Sequence, residues 1–379
     1  PGIDTGQLVH RNGIRVGIEV VKVSQQEAAG VADLASHDVY LDVHYVLKRA
    51  DGLLQAGEEV AYDQMVINDA ELPVFADASG LPRYGQDGDL HVFYGDMAFE
   101  GSANLRVSPW KAVFDASAGS LVSYVLGEKE MIKSPLAPCV ARAVIENDLG
   151  AKQDRRLELW RNAEFKVASF SVEATDFCYR VNVEYAPVGE AAVISVVYDI
   201  YADGTIAAKE ALADAGKLSE APMLPRFGMQ MEMPGQYSTL EYFGFGPHEN
   251  YSDRNSSTLM GHYVQRVEDQ YHYGYVRPQE SGTKTEIKWM KVIDDNGAGF
   301  EIRSDLKFSA SALPFSWKEM DVRMLDNNQA HSLELKAKAH ENDRANGSTW
   351  VNFDLAQMGL ACVNSWGAWP LEQYRVNAQ

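Results

Sequence analysis

A chain of 379 residues, 46% of them hydrophobic and 10% aromatic, holds enough apolar material for one large domain and a smaller one without disulfide staples. Its 54 acidic and 34 basic residues leave a net charge of −20, a field that repels nucleic acid and anionic lipid and argues against both as partners. No apolar run approaches the roughly 20 residues of a membrane-spanning helix, so no membrane partner is expected either.

The N-terminus, Pro1-Gly2-Ile3-Asp4, has neither an initiator Met nor an apolar signal core, and reads as a cut end within a longer polypeptide. Gln25 to Ala35 has helical composition interrupted by Gly30. Val39 to Val46 alternates β-branched and aromatic residues with polar ones, the pattern of a half-buried strand. Leu72 to Gly88, rich in Pro, Gly and Asp, is the best boundary, and places a cut near residue 85. The first part is short for an immunoglobulin-like sandwich of about 100 residues, so a truncated one is the expectation.

The segment Arg142 to Gly150 clusters Arg142, Glu146, Asn147 and Asp148. A hard-cation site and an Arg142–carboxylate brace both fit; EF-hand spacing is missing, which favours the brace. Four alternating runs follow, Phe165–Glu173, Tyr179–Tyr185, Ala192–Tyr201 and Thr205–Leu212, the last two joined by Asp203-Gly204. Gly at such a turn accepts the positive φ of a tight hairpin. Asn296-Gly297 and Asn346-Gly347 repeat that signal before Phe300–Arg303 and Thr349–Phe353. With three hairpin signals and no long amphipathic helix, the fold class is all-β, a sandwich.

The densest polar cluster is the loop Gly244 to Arg254, containing His248, Glu249, Asn250, Asp253 and Arg254. It can line a sugar site, or Glu249, Asp253 and Arg254 can form a salt-bridged brace. The brace is favoured, because one loop rarely supplies both opposed carboxylates of a glycosidase. Tyr271 to Gly282 is aromatic-rich and reads equally as a binding surface or interface, or as a strand with an aromatic-packed face. Near the C-terminus Trp366 stands between small residues, where its ring is either a saccharide platform or a core tryptophan. Cys139, Cys178 and Cys362 are odd in number and widely spaced, so buried free thiols in a reducing compartment are expected. The nine His show no metal-ligand spacing, and no P-loop, G-x-S-x-G, G-x-G-x-x-G or H-E-x-x-H is present.

Taken in order, these segments resemble the C-terminal region of bacterial β-galactosidases of glycoside hydrolase family 2. Phe245-Gly-Pro-His-Glu-Asn-Tyr-Ser-Asp-Arg254 resembles that family's G-P-x-E-N-Y-x-D-R signature, and Tyr275-Val-Arg-Pro-Gln-Glu-Ser-Gly282 the motif after it. Arg142-Ala143 with Asn147-Asp148-Leu149-Gly150 resembles R-A-P-x-D-N-D-x-G, with Val144 for the Pro and Glu146 for the first Asp; Ser365-Trp366 resembles its S-W. The resemblance runs through residues 86–379, and more weakly through Leu41 to Val74.

It implies a galactose-mutarotase-like supersandwich preceded by a short immunoglobulin-like linker segment. It also implies that both catalytic Glu residues lie on an N-terminal (β/α)₈ barrel, which is not written here because strands and helices do not alternate. The two carboxylates of a retaining glycosidase, about 5–5.5 Å apart, are therefore expected elsewhere, and this chain alone is expected to be inactive. By the same resemblance Trp366 stacks on the sugar at the aglycone side; Val363-Asn364 stands where some members have two Asp. Mg²⁺ and Na⁺ are implied for the whole enzyme and held by the barrel, so no catalytic residue, metal or cofactor is assigned here. The implied partners are a galactoside, the barrel of the same polypeptide and a second copy in a homo-oligomer; the implied location is the bacterial cytoplasm. Two rivals stand beside this reading. One is a stand-alone aldose 1-epimerase-like mutarotase using His248 and Glu249; the other is an architectural oligomerisation domain.

Overall fold

The computed structural model describes residues 16–20, 38–72, 80–99, 106–325, 330–341, 347–360 and 366–377. Gln25 to Ala35, Cys362, Val363 and Asn364 lie outside them. The chain divides into two compact units, Pro1–Pro73 and Val74–Gln379. The break falls at the start of the Pro/Gly/Asp-rich segment and ahead of residue 85, because Arg83–Asp87 is a strand paired to Leu90–Phe99 within the second unit.

The first unit holds an antiparallel sheet of β1 (Val16–Val20), β2 (Val39–Leu47) and β3 (Glu59–Asn68). Val43 is buried at its centre, whereas Val60, Tyr62, Met65, Val66 and Ile67 of β3 are exposed.

The second unit is a sandwich. Its larger sheet uses β4 (Arg83–Asp87), β5 (Leu90–Phe99), β6 (Arg106–Asp115), β7 (Ser120–Leu126), β8 (Lys129–Glu130) and β9 (Ser134–Cys139). The smaller sheet is the meander β10 (Val167–Ala174), β11 (Tyr179–Tyr185), β12 (Ala192–Ile200) and β13 (Ile206–Asp214). The larger sheet resumes with β14 (Arg226–Pro234), β15 (Thr239–Gly246), β16 (Leu259–Arg266), β17 (Lys284–Ile293), β18 (Gly299–Leu313) and β19 (Ser348–Gln357). Its order is β16-β15-β17-β18-β19-β14-β9-β7-β6-β5-β4, with β8 beside β7.

Side chains at alternate positions face one side of a strand, and β12 shows the result: Ala192, Ile194, Val196, Tyr198 and Ile200 are all buried. They pack on Phe93, Phe114 and Tyr124 of the larger sheet; the Phe114 and Tyr198 rings meet edge-on at 5.0 Å. The Asp203-Gly204 turn is tied down as well, since the Tyr124 hydroxyl donates to Gly204 O at 2.8 Å. Gly204 has φ +88° and Gly297 φ +78°, so both turn glycines take the left-handed backbone that other residues resist.

The all-β reading holds, with two local corrections. The Asn346-Gly347 signal makes no tight hairpin. Asn346 is outside the described residues, and β19 pairs with β14 and with β18, which ends far upstream at Leu313. Between them lie helices α4 (Trp317–Met320) and α5 (Ser332–Glu341). The second correction is α5 itself, which the strand-centred reading overlooks despite the good helix formers of Leu333 to Ala339. Three short helices, α1 (Glu146–Gly150), α2 (Gln153–Arg156) and α3 (Glu158–Arg161), follow β9; they belong to the site described next.

Candidate functional site

Arg142 lies just past β9 with its side chain buried, so its guanidinium needs a partner inside the loop. Asp148 in α1 supplies it: Nη1 donates to Oδ2 at 2.7 Å and to Ala143 O at 2.8 Å. Oδ2 of the same carboxylate accepts from the backbone N–H of Ile145, just ahead of α1, at 2.9 Å. One pair thus closes the loop and starts the helix. Asn147 is half-buried beside it, and the exposed Glu146 donates its backbone N–H to Gln279 Oε1 at 3.4 Å.

Glu249 is the centre of a second knot. Its carboxylate accepts from Ser281 Oγ at 2.6 Å, Gly282 N at 2.8 Å, Arg254 Nη2 at 2.8 Å and the Tyr275 hydroxyl at 2.5 Å. Burial works against ionisation, but the hydrogen bonds from Ser281, Tyr275 and Gly282 and the Arg254 charge outweigh it, holding this carboxyl below the usual Glu range. Asn250 is fully buried: Nδ2 donates to Phe245 O and His248 O, while Oδ1 accepts from the Thr285 backbone and hydroxyl. Asp253 packs against Gly359 so closely that a Cβ there would collide with the carboxylate. His248 is exposed. A Glu249 whose oxygens are taken by four donors has no lone pair directed at a substrate proton.

Tyr271–Gly282 is a loop and not a strand. Gly274, Pro278 and Gly282 (φ +84°) interrupt extended pairing, and Ser281 gives its hydroxyl to Glu249 and takes the His272 backbone N–H. Tyr271 is buried against Tyr273 and Phe315, with ring centroids 5.1 and 5.8 Å away.

A third cluster is not assembled by sequence reasoning. Arg226, at the start of β14, is 1% exposed. Nη1 donates to Asn352 Oδ1 at 3.0 Å, Nε lies 3.1 Å from Asp354 Oδ2, and Nη2 lies 3.6 Å from Glu280 Oε1. Thr283 and Gln357 also donate to Glu280 Oε1. Two buried carboxylates thus share one guanidinium. Burial pushes the Asp354 carboxyl up to about 7 despite the pull of Arg226, and Glu280 adds to the rise. The signals in the chain were a charged residue opening an apolar strand and Glu280 within the Tyr275–Gly282 motif; nothing local joins them, since the partners of Arg226 lie 54 and 128 positions away.

Trp366 is 94% exposed, whereas Trp110, Trp160 and Trp317 are buried. The turn after it has Gly367 at φ +93°, and Arg156 Nη1 of α2 donates to Gly367 O at 3.3 Å. The Trp366 segment and the first motif loop are therefore joined through α2. A small cavity lined by Arg142, Val144, Asp148, Gln153, Leu157, Arg161 and Pro225 lies beside α1–α3; it suits water and not a sugar ring. Among the described residues no three His, Cys, Asp or Glu side chains converge as a metal-ligand set. Cys139 is buried, and burial pushes its thiol up to about 11.

Comparison with known proteins gives these geometries a context. The family described as beta galactosidase small chain matches residues 106–379. A β-galactosidase of Priestia megaterium is 30% identical over 316 residues, covering 83% of this chain and 28% of that protein. One from Halalkalibacterium halodurans is 27% identical, covering 88% of this chain and 30% of its own length. One from Vibrio cholerae is 25% identical, covering 95% and 33%. The chain thus spans about a third of the length of these relatives.

Proposed function

Because the chain belongs to the β-galactosidase small-chain family, we propose that it is the non-catalytic C-terminal part of a β-galactosidase, shaping the sugar site without supplying the bond-breaking acids. The whole enzyme cleaves terminal β-D-galactosides with retention through a galactosyl-enzyme intermediate. The observation that carries the role of this part is the exposure of Trp366: a tryptophan costs apolar hydration when presented to water, and sugars stack their C–H faces on such rings. The acids of the two motif loops are occupied, Asp148 by Arg142 and Glu249 by its four donors.

In this reading the larger unit is the supersandwich domain, and the three-stranded unit belongs to an immunoglobulin-like linker. The apolar residues exposed on both sides of β3 favour that assignment, as surface that a sandwich would cover. The catalytic barrel and its Mg²⁺ and Na⁺ belong to the rest of the polypeptide, and assembly is homo-oligomeric. A mutarotase reading requires a His–Glu acid–base pair, and His248 with the fully engaged Glu249 does not make one.

The test is direct. The isolated chain should show no hydrolysis of a chromogenic β-galactoside, yet a galactoside should perturb its tryptophan fluorescence, and Trp366→Ala should abolish that response. Turnover that survives repurification sinks the proposal. A response unchanged in Trp366→Ala sinks the role given to that ring.

A further inference from the structure

We infer that Arg156 is a positioning residue for the Trp366 platform; this deepens the reading above and rests on it. The Trp366 ring is 94% exposed, so the course of the backbone beside it bears on where the ring is presented. Downstream, that backbone is held by the Gly359 N–H to Tyr374 O bond at 2.9 Å, by Arg375 Nε donating to Pro370 O at 2.7 Å, and by the Leu224–Val376 bridge. Those anchors lie four or more residues from Trp366.

Arg156 acts closer. It donates to Gly367 O at 3.3 Å while its guanidinium lies 5.2 Å from the centre of the Trp369 ring. A planar guanidinium can donate in its plane and stack through its face at once, which an ammonium cannot. Arg156 therefore grips the turn on both sides of Ala368. Gly367 permits this turn because its φ of +93° is left-handed, a backbone that other residues resist. The grip is anchored in turn, since Asp154 of the same helix is 3.1 Å from Arg323 Nε. The result is a path from α2 to the Trp366 backbone in which Arg156 is the residue that reaches across.

The test is steady-state hydrolysis of an aryl β-D-galactoside by the complete β-galactosidase polypeptide carrying Trp366→Ala, Arg156→Ala, Arg156→Lys or Arg156→Ala/Trp366→Ala. Arg156→Ala should raise KM about threefold with kcat nearly unchanged. Arg156→Lys should recover part of that, and the double variant should be no worse than Trp366→Ala alone, all at an unchanged urea midpoint. If Trp366→Ala weakens KM while Arg156→Ala equals wild type, or if the two effects add in full, the positioning role is overturned and the platform stands. If Trp366→Ala leaves KM untouched, both fall. Should Arg156→Ala not fold, the Lys variant carries the same comparison against Trp366→Ala.

Discussion

Glu249 and Ser281, 32 positions apart, meet at 2.6 Å, and that contact joins the Gly244–Arg254 and Tyr271–Gly282 loops into one knot. Three further donors complete it, so the carboxylate is a structural acceptor and its charge is needed where it stands.

Glu249→Ala should therefore cost about 3 kcal/mol, because it leaves several donors unpaired in a partly buried loop. Glu249→Gln keeps the shape but loses the charge and turns one acceptor oxygen into a donor, and should cost less. Urea unfolding followed by tryptophan fluorescence gives both values; equal stability of Glu249→Ala and wild type would exclude the brace.

Arg142 and Asp148 form a pair that is out of water on both sides. Removing one partner strands a charge, so Asp148→Ala should lower stability by about 3–5 kcal/mol. The Arg142→Met/Asp148→Leu double variant should recover much of the loss. A double variant no better than the single would show that the pair's value lies in helix capping at Ile145 and not in charge compensation.

Asp354 makes a prediction about pH. Its folded pKa, raised to about 7 from the usual 3.8, means that the native state keeps a proton that the unfolded chain has already lost. Its contribution to stability is therefore fully present below about pH 4 and is lost as pH rises through about 7. Asp354→Asn should flatten this decline. Denaturant midpoints at several values between pH 4 and 8 test it, and parallel curves for wild type and variant would refute it.

Two turn glycines separate backbone strain from crowding. A Cβ at Gly297 meets no neighbour within 4 Å, so Gly297→Ala pays only for its left-handed φ, about 1 kcal/mol. A Cβ at Gly204 meets Met97 Cε at 2.6 Å and the Tyr124 hydroxyl at 2.7 Å, in the same left-handed conformation. Gly204→Ala should be clearly the more destabilising in thermal melts, and equality would mean that the sandwich yields at that corner.

How much was legible follows from how local each cause is. The strand alternation of Ala192–Ile200 and the Asp203-Gly204 turn could be read directly, because period-2 burial and positive φ are set by residues within a few positions of one another. Tyr271–Gly282 misled for the converse reason: its aromatics suit a strand, but Gly274, Pro278 and the pull of Glu249 on Ser281 and Gly282 make it a loop.

The sequence by itself determined the all-β class, the meander and the motif loops that place the chain in its family, since patterning and turn chemistry act over short range. Only the tertiary structure decided what the polar residues do. It gave Glu249 its donors, set Arg226 between Asp354 and Glu280, and left the Trp366 ring exposed next to a turn that Arg156 contacts through Gly367 O. The reason is dielectric and distance: a charge or ring takes its role from the partners and solvent around it, and those partners lie far along the chain, 128 positions for Arg226 and Asp354 and 211 for Arg156 and Gly367.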